Sequence, residues 1–201
     1  MRAAVVPLTP LLVRSESGLA DPVAELREEA VDAVRQLAEG VLRITALCPV
    51  DIVGAPADYW WPSGRPGTGP LSEQVARHLV ELAGVDVELE VLLVSEIGPA
   101  PVADALLVLG DGTACRSQTA PGFIDERAFP VDDLIADALE GGDGDALARL
   151  DQDLAAELLV TGRHTFAMLG AAMLASRRTV DAELRYRDDP FGMTYFVAIW
   201  S

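Results

Sequence analysis

The chain has 201 residues, 50% of them hydrophobic, and carries 32 acidic residues against 15 basic ones, all arginine, for a formal net charge of −17. That length and apolar content suffice to bury a sizeable core, and they suggest one domain spanning residues 1–201. The charge argues against partners that need a positive surface, namely nucleic acid and anionic membranes.

Met1-Arg2 and the apolar run that follows imitate a secretory leader. Pro7 and Pro10 would break its helical core, however, and Arg14 and Glu16 precede the apparent cleavage point. No segment approaches the roughly 20 apolar residues of a membrane span. Two cysteines, Cys48 and Cys115, cannot build a disulfide framework and suit reduced thiols in a cytoplasmic protein.

In chain order, Ala3 to Val6 reads as a strand closed by a Pro-Leu-Thr-Pro turn. A helix follows, with Asp21 as N-cap, Pro22 at its first position, and Val23, Leu26, Ala30, Val34, Leu37 and Val41 at helical spacing. Arg43 to Val53 suggests a second strand, and residues 54–70 a long ordered loop bearing Tyr59, Trp60 and Trp61. Ser72 is placed to cap a helix with Val75, Leu79 and Leu82 on one face, ending at Gly84. Val85 to Leu93 alternates apolar with acidic residues, the period of a half-buried strand near a sheet edge. The unbroken run Ala105 to Leu109 suits a central strand. A helix over Pro130 to Leu139 would turn Val131, Leu134, Ile135 and Ala138 inward. Asp145 to Arg178 reads as helical, divided at Gly162. Thr179 to Arg187 and Met193 to Trp200 bracket a hairpin turn at residues 188–192. Together these predict an α/β fold, a central mixed β-sheet flanked by helices on both faces.

Three segments carry a resemblance that spans nearly the whole chain. Gly110-Asp111-Gly112-Thr113-Ala114-Cys115-Arg116, then Ala120-Pro121-Gly122-Phe123, resembles the central turn of the class III extradiol ring-cleavage dioxygenase-like superfamily, in particular its actinobacterial branch. Val6-Pro7-Leu8-Thr9-Pro10-Leu11-Leu12 is similar to that superfamily's Pro-His-Pro-Pro-Leu-Leu opening. Asp189 to Trp200 is similar to its closing Pro-Tyr-Gly turn and last strand. The resemblance implies the same fold and an ancestral non-haem iron site. It also implies that the metal-binding His has been replaced by Leu8 and the catalytic acid/base His by Ala114. Such a site needs roughly two imidazoles and a carboxylate, and the chain has only His78 and His164, neither at a ligand position of the superfamily. The expectation is a diverged, non-catalytic protein without a cofactor, binding a small molecule or a protein partner at the ancestral site. The alternative is a metal-dependent oxidoreductase or hydrolase holding Fe or Zn with relocated ligands drawn from Asp111, Cys115, His164 and Asp58. A role in assembly, as a homo-oligomer, stays open.

Asp111, at the carboxyl end of a central strand, is the foremost candidate for orienting a polar ligand, and Asp111 and His164 are the candidates for catalysis. The plain reading of Asp111 is an Asx-type turn that satisfies its own backbone. Thr113, Cys115 and Arg116 extend the polar edge, Arg116 as a clamp for a carboxylate and Cys115 as a nucleophile if its pKa were lowered. Tyr59, Trp60 and Trp61 could stack on a flat ligand. A phosphate loop is disfavoured, because no Gly-Lys-Ser/Thr ending follows Gly112. Asp143, Asp145 and Asp151 lack calcium-loop spacing and read as loop and cap residues.

Overall fold

The computed structural model describes residues 1–12, 21–50 and 69–201. Strands β1 (Arg2–Val6), β2 (Arg43–Pro49), β3 (Glu88–Val94), β4 (Ala105–Leu109), β5 (Ala182–Asp188) and β6 (Tyr195–Trp200) form one mixed sheet in the order β3-β2-β4-β1-β6-β5. The four strands β3, β2, β4 and β1 pair in parallel, whereas β6 and β5 add antiparallel at one side. The acidic alternation before Val94 places β3 at an edge, and the unalternating β4 is fully buried between β2 and β1.

Side-chain alternation along the strands divides the core into two layers. Ala4, Val6, Ile44, Ala46, Leu107, Leu109 and Val197 face helices α1 (Ala24–Ala38) and α2 (Leu71–Ala83). Ala3, Val5, Leu47, Leu106, Val108, Phe196 and Trp200 face the other layer. There α3 (Ala128–Gly141), α4 (Gly144–Ala148), α5 (Gln152–Glu157) and α6 (Arg163–Ser176) pack.

Several local expectations are corrected. Asp21 does not cap α1: it has φ 42°, and its carboxylate takes a two-pronged ion pair with Arg27. Arg27 in turn donates to the Leu11 and Leu12 carbonyls, so it joins α1 to the short 3₁₀ turn Pro10–Leu12 instead. Ser72 does not cap α2. Its hydroxyl donates to the Pro49 carbonyl at 2.7 Å and ties the helix to the end of β2, while Pro70 takes the cap position. The regular part of β2 stops at Pro49. Leu82 and Leu134, expected inside, are 39% and 45% exposed. The region after Gly142 contains three helices, not two, because Asp143 and Asp151 cap α4 and α5 with their carboxylates. That is the role read for them from the sequence. No helix among the described residues is long and apolar enough to cross a membrane.

Candidate functional site

The sheet order creates a crevice. Adjacent parallel strands β1 and β4 send their chains in opposite directions: β1 continues to α1 on one face and β4 to α3 on the other. Where neighbouring connections diverge, the carboxyl ends of the strands leave a gap in which α/β folds bind ligands. Leu8 and Thr9 follow β1 into this gap, and Gly110 to Ala114 follow β4. Thr194 and Tyr195 enter it at the start of the antiparallel β6.

Asp111 occupies this point and is 1% exposed. Its backbone is held on both sides: its N–H donates to Thr161 Oγ1 at 3.0 Å, and its carbonyl accepts from Gly162 N at 3.1 Å. The side chain does not fold back on its own turn, which removes the Asx-turn reading. Oδ1 accepts a 3.2 Å hydrogen bond from the amide of Leu8, 103 residues away. Oδ2 has no hydrogen-bond partner and is shut off from solvent. No ion pair offsets this burial among the described residues. Burial therefore pushes the carboxyl up from 3.8 to about 7, against the single opposing pull of the Leu8 amide. Tyr195 is buried alongside, its hydroxyl hydrogen-bonded with Thr9; burial, and secondarily the Asp111 charge, raise its phenol above the ordinary value.

The two glycines of the turn serve close packing. A Cβ on Gly110 would lie 2.5 Å from the Cα of Gly162, and one on Gly112 would lie 2.5 Å from Asp132 Oδ1 and 2.8 Å from Phe196. Gly-Asp-Gly is thus the sequence that lets α6 and α3 close on the end of β4 with a carboxylate between them.

The other expected site residues are used internally. Thr113 donates its N–H at 2.9 Å and its hydroxyl at 2.7 Å to Asp132, and Thr194 donates its hydroxyl to the same carboxylate at 2.6 Å. Asp132 is completely buried. Burial raises its pKa, while these donors and the Arg116 charge pull it back. Arg116, expected to clamp a ligand, instead donates from Nε to Asp189 at 2.7 Å, stacks 4.1 Å over Phe129, and places Nη1 3.8 Å from Asp132. The carboxylate it was suited to hold is supplied by the hairpin turn. Cys115 donates its thiol to the Leu158 carbonyl at 3.5 Å, and burial raises its pKa, the reverse of what a nucleophile needs. His164 lies half-buried in the first turn of α6, two residues beyond the glycine that binds the Asp111 carbonyl. Tyr59, Trp60, Trp61 and Asp58 lie outside the described residues.

Sequence reasoning missed Asp132, Thr161, Thr194 and Tyr195. One signal was present for Asp132, an acidic residue beside Val131 on a helix whose apolar positions recur at 131 and 135.

The iron site implied by the resemblance does not fit the residues present. Leu8 and Ala114 are buried hydrocarbon at the two decisive positions. Among the described residues, no three His, Cys, Asp or Glu side chains come together as a metal-binding group, so Asp111, Cys115 and His164 do not assemble one. No protein-family model matches the chain, and no curated protein matches it.

Proposed function

We propose that the chain is a diverged, non-catalytic member of the class III extradiol dioxygenase-like superfamily, binding a small molecule in the β1/β4 crevice through Asp111. The observation that carries this reading is the hydrogen bond from the Leu8 amide to the Asp111 carboxylate. It joins the opening and central segments that carry the resemblance, at the point where the topology opens the sheet. The side chains there are leucine, aspartate and alanine. None but Asp111 can hold an electrophile or move a proton, and acid/base assistance alone is commonly worth about 10²-fold to 10⁴-fold.

The free oxygen of Asp111 supports a recognition role, because a buried acceptor without a donor gains a hydrogen bond when a ligand supplies one. That oxygen is closed off, so a ligand reaches it only when the loops after β1 and β4 part. Apparent affinity is then reduced by the fraction of molecules that are open. Reconstitution with Fe(II) under anaerobic conditions, followed by oxygen-uptake assays on a panel of catechols, tests the non-catalytic half of the proposal. No uptake above the free-iron control is expected; turnover at ordinary enzymatic rates overturns it.

A further inference from the structure

At the opposite edge of the sheet, a cleft of about 460 Å³ is lined by Met1, Arg2, Arg177, Arg178, Thr179 and Ser201. Three elements build it: the start of β1, the end of β6 and the turn from α6 into β5. Its charge is opposite to that of the molecule as a whole.

Elsewhere the arginines are spoken for. Arg27, Arg43, Arg77, Arg127, Arg149 and Arg185 each meet a carboxylate at 2.8–3.1 Å. Arg2, Arg177 and Arg178 have no carboxylate partner among the described residues, although the chain has 32 acidic residues to offer. Arg2 is oriented by a hydrogen bond from Nη1 to the Glu39 carbonyl at 2.5 Å, which leaves its other guanidinium donors unused. Asp104 and Asp181 are joined to the cleft by backbone hydrogen bonds to Arg2 and Ser201, yet neither carboxylate pairs with an arginine.

The backbone adds a second observation. Helices α2 and α3 end on glycines in the left-handed conformation, Gly84 at φ 65° and Gly142 at φ 64°. Helix α6 ends in the same conformation on Arg177, at φ 54°. A side chain there costs about 1 kcal/mol relative to glycine. The fold keeps a guanidinium where glycine would be less strained, and that guanidinium lines the cleft.

We propose that Arg2, Arg177 and Arg178 form a binding site for a small phosphate-bearing anion. Guanidinium forks match phosphate oxygens in bidentate fashion, and three of them converge on a space of small-molecule size. The net charge of −17 sets the size limit. Screening at physiological ionic strength confines each charge to about 8 Å, so a compact dianion feels the three arginines alone. An extended polyanion would also meet the acidic surface around them.

The test is calorimetric titration with pyrophosphate, inorganic phosphate, citrate and heparin at low salt, on the wild-type chain, on Arg178→Gln, and on the double variant Arg177→Asn, Arg178→Gln. Asparagine tolerates the left-handed backbone, and both positions are exposed, so the double variant keeps its thermal midpoint. One pyrophosphate per chain is expected, with affinity falling as salt rises. The double variant should lose about tenfold or more, and the single variant less. No pyrophosphate binding at millimolar concentration overturns the proposal, as does binding that survives the double substitution. Citrate binding as tightly as pyrophosphate overturns the phosphate assignment, and heparin binding more tightly than either overturns the small-ligand assignment.

Discussion

Replacing Asp111 with asparagine should change how stability depends on pH more than it changes stability at any one pH. Asparagine keeps an oxygen for the Leu8 amide and removes the ionisable group. In the folded chain the carboxyl titrates near 7, and in the unfolded chain near its ordinary 3.8. Between those values the folded state holds a proton that the unfolded state has released, so stability is fully present below about pH 4 and is lost as pH rises toward 7. The whole shift corresponds to about 4 kcal/mol. About 3 kcal/mol of it falls between pH 5 and pH 8, above the sequence pI of about 4.3. The variant introduces N–H donors beside a site that offers them no acceptor, a cost of about 1–3 kcal/mol that does not vary with pH. Urea denaturation of both proteins across that range, compared as a difference, cancels the titration of every other group to first order. With a slope of about 2 kcal/mol per molar urea, the gap between midpoints should shift by about 1.5 M, the wild type losing ground as pH rises. Parallel profiles for the two proteins would refute the reasoning, because they would mean that Asp111 ionises in the fold as it does in water.

Other substitutions probe the scaffold of the crevice. Gly112→Ala drives a methyl into Asp132, Phe196 and Thr194 at 2.5, 2.8 and 3.0 Å, and a loss of about 2–4 kcal/mol should register in chemical denaturation. Asp132→Ala strands the hydroxyls of Thr113 and Thr194, the Thr113 amide and the charge of Arg116. It should cost about 3–5 kcal/mol, and Asp132→Asn should recover part of that. Cys48 and Cys115 are buried, and burial pushes the Cys48 thiol up to about 12. Neither should react with a thiol reagent at neutral pH until denaturant is added, and labelling of the native chain at the rate of a free thiol would contradict that burial.

The sheet was legible in the sequence because its cues are local. Acidic alternation before Val94 marked an edge, unbroken apolar content at Ala105–Leu109 marked the centre, and the turn at residues 188–192 marked the hairpin. The site was legible only as far as Asp111. What surrounds it is built from contacts between distant parts of the chain: Leu8 with Asp111, Thr194 with Asp132, Arg116 with Asp189. Periodicity says that one face of α3 is buried, but it did not show that a carboxylate on that face collects three hydrogen bonds from two other segments. Polar pairing overrode the apolar pattern there, with Asp132 inside and Leu134 outside. The same competition moved Asp21 from helix cap to the partner of Arg27.

The most direct test of the crevice as a binding site is a fragment titration followed by amide-resolved NMR on the wild type and on Asp111→Asn. Fragments that bind should shift the amides of Leu8, Gly110 to Thr113, Thr161, Gly162 and Thr194 together, and the variant should abolish or strongly weaken those shifts. Fragments that cluster elsewhere on the molecule, or that bind the crevice equally well without the carboxylate, would contradict the assignment of Asp111 as the recognising group.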